Sequence, residues 1–368
     1  MSAFGNSVPL PYWTWIGPLL SAALLAVLIV MGTSKTEVIP GVLALLALGV
    51  SVFAAVHHAE VIALRVGEPL GSLVLAVAVT IIEVALIVSI LLSAAPGSEY
   101  VARDTVYSAV MIVLNGVVGI GLVLGGRRHF EQSFRSDGVA AALAVLGTLA
   151  TISLLFPNYV IAVKGPFYSP SQLLFVGVVS LILYCVFVFV QTVRHRDYFT
   201  DAEIDDLAEF EHGERPSIRM TLLSGVLLLA SLTLVILLSK ILSKPISLVI
   251  DRAGLPASFL GVVIAIIVLL PESLAALGAA RANRLQSSLN LAIGSAIASI
   301  GLTIPTVALL SIWKDIPLPL GLQPHETVLL VLTLFISTLT LGTGRTTVLH
   351  GAVHLVIFGV FLFTAAVP

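Results

Sequence analysis

Charged side chains are scarce in this chain: they occupy 10% of its 368 positions, whereas 58% of positions are hydrophobic and the mean hydropathy is +1.11. Soluble domains carry roughly 25% charged residues, so the composition excludes an ordinary soluble domain. The formal net charge of −2 also provides no basic surface for nucleic acid. We therefore expect a polytopic membrane protein that contacts the lipid bilayer and binds no nucleic acid.

Cysteine is nearly absent as well. The single Cys185 lies inside an apolar segment, so the chain can form neither an internal disulfide nor a paired-cysteine zinc site. No Lys or Arg precedes the first apolar run, so the N-terminus lacks the basic region of a cleaved signal peptide, and we expect the first helix to be retained. We expect no bound cofactor.

The chain is instead rich in long apolar segments. Cutting the sequence at charged and Gly/Pro-rich breaks leaves eleven of them, each near the ~20 residues that a helix needs to cross a bilayer. They cover residues 14–32, 38–57, 70–94, 104–125, 137–156, 170–193, 218–242, 257–280, 288–312, 325–342 and 346–366. The fold class is therefore an all-α polytopic membrane protein with about 11 transmembrane helices. With a cytoplasmic N-terminus, eleven Lys and Arg residues fall on the cytoplasmic side and seven on the other, which favours this orientation.

One polar interruption, residues 194–217, divides the chain into halves and contains eight acidic residues. Thr200 and Glu203 form a capping-box pattern, and apolar residues follow at helical spacing until Gly213 and Pro216. This pattern predicts a short acidic amphipathic helix. The segment is either a solvated connector or a cytoplasmic surface that gathers cations, and the sequence leaves both readings open.

An internal repeat is found when Glu83 is aligned with Glu272. Residues 71–83 then face residues 260–272, and in both copies a long apolar run ends in glutamate. Each half holds five spans once the first is set aside, and an odd number of spans inverts the second copy in the membrane. Inverted repeats are a secondary-transporter architecture. The predicted organisation is an extra N-terminal transmembrane helix (1–35), a first five-helix repeat (36–193), an acidic cytoplasmic linker helix (194–217) and a second five-helix repeat (218–368).

Of the twenty acidic residues, only Glu83 and Glu272 fall inside the predicted spans rather than in loops, at span ends or in the linker. A charge at bilayer depth is costly, so such residues usually have a function. The repeat gives them matching positions, and two facing carboxylates repel each other unless they are protonated or bridged by a cation. Cation/proton exchange requires that choice. Each glutamate could instead be a protonated residue that hydrogen-bonds between helices.

Oxygen-bearing groups accompany both glutamates. Pro271 removes a helix hydrogen bond and frees a carbonyl one turn earlier, near Ile267 and Val268. The candidate metal ligands are Glu83, Glu272, Thr80, Ser108, Asn115, Ser295 and Ser299. Ca²⁺ takes about six to eight oxygen ligands, and hydroxyl, amide and carbonyl groups suit it. Small polar residues in membrane helices also serve as packing contacts, which is the alternative role for the five neutral ones.

Two histidines in the last span, His350 and His354, lie one helical turn apart, which is a spacing that can bind a metal. The zinc pattern HExxH requires glutamate directly after the first histidine, and this chain has Gly351 there. An intramembrane metalloenzyme that uses these histidines is therefore the less favoured alternative. Buried hydrogen bonding, or a place in a proton pathway for His354, are the others.

Three further segments accompany the glutamates. They are Gly294-Ser295, Leu124-Gly125-Gly126 with Glu131-Gln132-Ser133-Phe134, and Gly344-Arg345-Thr346-Thr347-Val348-Leu349-His350-Gly351. Together with Glu83 and Glu272, which match the glutamate of a GNxxE-type sequence, they resemble the cation/proton exchanger family of the cation/Ca²⁺ exchanger superfamily. The resemblance is closest to its bacterial calcium/sodium-proton antiporter branch. The family's Gly-Asn pair is replaced here by Val79-Thr80 and by Val268-Leu269.

The resemblance implies two inverted five-helix repeats with an ion site between them at the midplane of a bacterial inner membrane. It implies an antiporter, not an enzyme, that exchanges Ca²⁺, and also Na⁺, for protons by alternating access, with Glu83 and Glu272 binding either cation or protons. Because two amides of the family pattern are missing, an Na⁺/H⁺ or K⁺/H⁺ antiporter with little Ca²⁺ transport is the alternative. The oligomeric state is left open.

Overall fold

The computed structural model describes residues 11–30, 38–67, 70–92, 97–199 and 216–368. Its helices are α1 (Trp13–Val30), α2 (Val38–Val66), α3 (Leu70–Leu91), α4 (Val101–Met111), α5 (Val118–His129), α6 (Ser136–Ala150), α7 (Pro170–Phe189), α8 (Ile218–Arg252), α9 (Phe259–Arg281), α10 (Leu285–Lys314), α11 (Pro324–Leu341) and α12 (Val348–Ala366). The two short strands are β1 (Glu131–Ser133) and β2 (Arg345–Thr347). The predicted acidic helix, with its Thr200 and Glu203 capping box, lies outside the described residues.

Eleven of the described segments are helices long and apolar enough to cross a membrane, which confirms the predicted all-α class. Twelve helices give eleven spans because a π-helical turn, Ile112–Val117, joins α4 to α5 in one span, Ser98–His129. α6 and α7 also continue through π-helical turns, so their spans end at Asn158 and Arg194.

Two helices extend further than the sequence predicts. α2 continues beyond position 57 to Val66, and α8 continues beyond position 242 to Arg252. Polar residues end the apolar pattern there, but they do not break a helix, and α2 ends only at Gly67, whose φ is 77°. With 29 and 35 residues, the two helices are about 44 and 52 Å long, whereas a hydrocarbon core is about 30 Å thick. Both helices must therefore tilt or project beyond the core.

The helices form two compact units. The first contains α1, α2, α3 and α8, and the second contains the other helices and both strands. In the first unit, α2 packs along α8 and against α1. The Ser21 hydroxyl of α1 donates to the Ala47 carbonyl of α2 at 3.2 Å, and a nitrogen of the buried His58 ring donates to the Thr14 carbonyl at 3.1 Å. Each unit combines helices from both halves of the sequence.

In the second unit, α10 contacts α4, α6, α7 and α9, and α12 packs on α5. Small residues permit close crossings at two places. A Cβ atom on Gly301 of α10 would lie 2.6 Å from the Tyr184 Cβ of α7, and one on Gly351 of α12 would lie 2.8 Å from the Gly119 carbonyl oxygen of α5. Membrane helices associate through such contacts because lipid provides no hydrophobic drive between them.

Short backbone pairings in the second unit follow the repeat. β1 and β2 pair antiparallel, with Gln132 opposite Thr346, and an isolated bridge joins Phe167 to Pro319. β1 follows the third span of the first repeat and β2 follows the fourth span of the second. Phe167 follows the fourth span of the first repeat and Pro319 follows the third span of the second. This exchange is the pattern that a two-fold relation between inverted repeats produces.

Candidate functional site

Glu272 lies in the middle of α9, and its side chain is buried at 8% relative exposure. The turn after α9 brings α10 back beside it, and Asn283 in that turn has φ 62°, a left-handed conformation that asparagine tolerates better than most residues. Glu272 and Ser295 lie at similar distances from this turn and are therefore level with one another. The Ser295 hydroxyl donates to the Glu272 Oε2 at 2.6 Å, a short hydrogen bond typical of a charged acceptor. The structure thus brings these two predicted site residues together.

Two other predicted features belong to the same hairpin. Ser299, one turn after Ser295, is buried at 2% exposure on α10. Pro271 stands inside α9, and the helix continues unbroken through it from Phe259 to Arg281. A proline at this point has no N–H to donate to the carbonyl four residues earlier, which is that of Ile267.

Gln132 of β1 stabilises the end of the hairpin. Its amide nitrogen donates to the Ala280 carbonyl at 3.1 Å and to the Asn283 Oδ1 at 2.9 Å. The last carbonyls of a helix have no partner within the helix, so this side chain satisfies one of them. The segment that resembles Gly-Gly…Gln-x-Phe therefore holds the turn that places Ser295 beside Glu272.

Glu83 occupies the corresponding position in the first unit. It is the fourteenth residue of α3, as Glu272 is of α9, and its relative exposure is 3%. Thr80, one turn earlier and also buried, donates its hydroxyl to the Ala76 carbonyl of its own helix at 2.8 Å. The Thr80 oxygen keeps lone pairs that can accept a further bond or bind a cation.

Asn115 belongs to a different network. It lies in the π-helical turn of the fourth span, and its amide nitrogen donates to the Thr333 hydroxyl at 2.9 Å. Its Oδ1 is 3.2 Å from His354 Nδ1, and His354 Nε2 is 2.8 Å from the Thr340 hydroxyl. Because Asn115 presents its oxygen to His354, Nδ1 of the ring carries the proton. The described contacts of Asn115 thus join the fourth span to α11 and α12 and do not include Glu272.

His350 has a separate role from His354. Its Nδ1 accepts a hydrogen bond from the Thr347 backbone N–H at 3.2 Å, which caps the start of α12. Among the described residues, no group of three or more His, Cys, Asp or Glu side chains is arranged to hold a metal ion. The metalloenzyme alternative therefore gains no support from either histidine.

The assignment of Asp104 and Glu326 to exposed loops or span ends missed their environment. Both are buried, at 4% and 9% exposure, although they do lie near span ends. Asp104 is paired with the equally buried Arg103, whose Nε and Nη2 each lie 2.7 Å from Asp104 Oδ1. Adjacent opposite charges in an otherwise small and apolar segment are the signal that could have revealed this pair. Ser108, a predicted ligand, lies one turn further along α4 and is buried too.

Comparisons with known proteins agree with this architecture. The family description "Sodium/calcium exchanger protein" matches residues 38–193 and 223–367. The "Putative ionic transporter y4hA" of Sinorhizobium fredii is 53% identical over 366 residues, which cover 99% of this chain and 98% of that protein. The "Sodium-potassium/proton antiporter ChaA" of Escherichia coli is 37% identical over 344 residues, covering 92% and 93%.

A solved structure shares the fold. The crystal structure of the Ca²⁺/H⁺ antiporter protein YfkE superimposes with a TM-score of 0.72 at 16% identity, covering 96% of this chain and 99% of that one. At this identity the likeness shows the fold alone. The family match spans both halves of the chain, and two relatives exceed the identity at which membership is secure. The chain belongs to the sodium/calcium exchanger protein family, a family of membrane transporters and not of enzymes.

Proposed function

We propose that this protein is a secondary active antiporter of a bacterial inner membrane that exchanges Ca²⁺, and also Na⁺, for protons at a site formed by Glu83 and Glu272. One observation carries the proposal: the two glutamates are buried at the same position of the corresponding helices α3 and α9. Buried carboxylates at bilayer depth are retained where they bind protons or ions. The chemistry of relatives named as cation/proton antiporters is consistent with this role.

Coupling follows from the electrostatics of two carboxylates in one low-dielectric site. The pair is stable when it is protonated or when it holds a cation, and it is unstable when both groups are charged and empty. The empty, deprotonated carrier therefore does not reorient across the membrane. Each reorientation carries either the cation or protons, and this restriction prevents a leak of either.

The remaining ligands come from the neighbouring helices. Ser295, Ser299 and Thr80 supply hydroxyl oxygens, and the carbonyls near Val79 and Val268 supply backbone oxygens. Two carboxylates match the charge of Ca²⁺, and waters complete the six to eight oxygens, roughly, that it takes. A site with fewer neutral oxygens than the family pattern provides still binds Ca²⁺ if water enters with the ion.

A monovalent cation is the second candidate substrate. The two amides of the Gly-Asn pattern are absent, since Val79-Thr80 and Val268-Leu269 take their place, and fewer oxygens suit Na⁺ or K⁺ better than Ca²⁺. The relative ChaA is named as a sodium-potassium/proton antiporter. An Na⁺/H⁺ or K⁺/H⁺ antiporter with little Ca²⁺ transport is therefore the alternative to test beside the first.

We also propose that the repeats comprise residues 36–193 and 218–368, with an extra N-terminal helix in residues 1–35 and the cytoplasmic linker in residues 194–217. The two matched family segments lie on either side of this linker. The excess of Lys and Arg in loops on the N-terminal side supports a cytoplasmic N-terminus and linker.

Transport by everted membrane vesicles tests the function. With an imposed pH gradient, the protein is expected to drive uptake of radiolabelled Ca²⁺ and Na⁺, and Glu83→Gln or Glu272→Gln is expected to abolish both. Glu131→Gln is the matched control, because this glutamate is exposed and pairs with Arg345 in the β1–β2 ladder at 3.3 Å. Na⁺ transport without Ca²⁺ transport or competition would select the second candidate. Full exchange by both glutamine variants would reject the proposed site.

A further inference from the structure

A second polar site lies in the second unit, away from Glu272. A cavity of ≈ 290 Å³ opens where α9 and α11 begin and α12 ends, on the membrane face opposite the β1–β2 ladder. Its lining includes Arg103, Asp104, Tyr107, Ser108, His325 and Glu326. Val262 also lines it and precedes Glu272 by ten residues, so the cavity lies about 15 Å from Glu272 along α9.

The cavity carries one more negative than positive charge. The Arg103 guanidinium contacts Asp104 only through Oδ1, and its Nη1 donates to the Gly321 carbonyl at 3.3 Å. Glu326 accepts the Gln323 backbone N–H on Oε2 at 2.8 Å and lies within electrostatic range of Asp104. One arginine therefore faces two buried carboxylates, and each carboxylate has a second oxygen with further capacity to accept.

A buried hydroxyl in the lining also lacks a partner. Tyr107 is 4% exposed, and among the described residues its hydroxyl forms no hydrogen bond. A buried polar group left without a partner is unfavourable and is retained where a ligand or water satisfies it. Tyr107 lines the cavity, its ring packs edge-on against Phe361, and its hydroxyl is coupled electrostatically to Glu326. The unpaired hydroxyl and the excess negative charge thus fall in one place.

We propose that this cavity is a second cation site, which binds one Na⁺ between Glu326, Asp104 and the hydroxyls of Tyr107 and Ser108. A monovalent ion neutralises the cavity while Arg103 stays paired with Asp104. A divalent ion would leave an excess positive charge or require the buried guanidinium to leave, and an unpaired buried charge is strongly disfavoured. The site differs from the exchange site in its helices, in its depth and in the charge of its ligand. Because it opens at the face opposite the ladder, it fills from the extracytoplasmic side in the orientation proposed above.

Equilibrium binding of ²²Na⁺ to the purified full-length protein tests the site. The double variant Glu83→Gln/Glu272→Gln removes the proposed exchange site and is expected to retain one bound Na⁺ per chain. Adding Glu326→Gln or Tyr107→Phe to it is expected to weaken this binding at least about tenfold. Glu326→Gln keeps an oxygen that accepts from the Gln323 N–H, so the start of α11 stays capped. Asp104→Asn is avoided, since it would leave Arg103 buried without a charged partner.

Matched controls separate a local effect from general damage. Glu131→Gln and Tyr159→Phe make the same chemical changes at exposed positions of the same unit and are expected to leave Na⁺ binding unchanged. Loss of all Na⁺ binding in the Glu83/Glu272 double variant would overturn the proposal, as would unchanged binding after Glu326→Gln and Tyr107→Phe. The proposed transport function fails by a different result, namely exchange by the glutamine variants of Glu83 and Glu272.

Discussion

Replacing Ser295 with alanine tests the geometry of the exchange site most directly. The substitution removes the hydroxyl that donates to Glu272 Oε2 at 2.6 Å and changes little else. A hydrogen bond to a charged group contributes about 1.5–3 kcal/mol, and each 1.4 kcal/mol is tenfold in affinity. The hydroxyl favours the deprotonated carboxylate that binds the cation. Ser295→Ala is therefore expected to raise the apparent KM for the transported cation by about 10- to 100-fold, and most strongly at low pH, where protons compete.

The assay is the initial rate of cation uptake by everted vesicles across a range of cation concentrations at two pH values. Thr306→Val on the same helix is the matched control. Its hydroxyl donates to the Leu302 carbonyl of α10 itself at 2.8 Å and is exposed, so its removal is expected to leave the KM unchanged. Protein levels in the vesicles are compared by immunoblot, so that a lower amount of transporter is not mistaken for weaker binding.

Two results would refute this reasoning. One is an unchanged KM in Ser295→Ala at both pH values, which would mean that the hydroxyl does not help the carboxylate to hold the cation. The other is an equal loss in Thr306→Val, which would mean that any lost hydroxyl on α10 disturbs transport. Either result would leave Glu272 as an ion-binding candidate but would remove α10 from its ligand shell.

The remaining predictions concern stability. Gly351→Ala would place a Cβ 2.8 Å from the Gly119 carbonyl oxygen, so it is expected to destabilise the protein by about 1–3 kcal/mol; Gly359→Ala, with open space around it, is expected to be neutral, and equal thermal unfolding midpoints in detergent would contradict this. Gln132→Leu leaves the Ala280 carbonyl without its donor and is expected to cost about 1–3 kcal/mol, again read as a lower midpoint; an unchanged midpoint would show that the α9–α10 turn does not depend on this amide.

The number of spans could be predicted from the sequence because bilayer thickness sets the length of an apolar helix. The ends of α2 and α8 could not. Hydropathy reports where apolar side chains stop, whereas a helix stops where the backbone is broken, and α2 continues to Gly67 through a polar turn. The exchange of backbone pairings among the loops follows from the repeat but is invisible in hydropathy, because it joins segments far apart in the chain.

The two glutamates could be predicted from a census of charge, since a carboxylate in a long apolar segment is rare enough to stand out. Ser295 followed from its spacing to Glu272, because a tight turn makes α9 and α10 neighbours. Asp104 could not be placed in the same way. It lies near a span end, where sequence alone suggests solvent, and it is buried because α9 packs against α4. Asn115 and His354 are 239 positions apart, and only the packing of α12 on the fourth span brings them together.

The two halves of the exchange site share a glutamate but differ in what surrounds it. Pro271 stands before Glu272, and the corresponding residue before Glu83 is Ile82, so only the second half frees a carbonyl by proline. Thr80 has no hydroxyl counterpart in the second half, where Leu269 stands. A two-fold arrangement therefore positions the two carboxylates alike, while the neutral oxygens around them differ. Affinity for positive charge follows from what the repeats share, so the choice between Ca²⁺ and Na⁺ must follow from the neutral oxygens by which they differ.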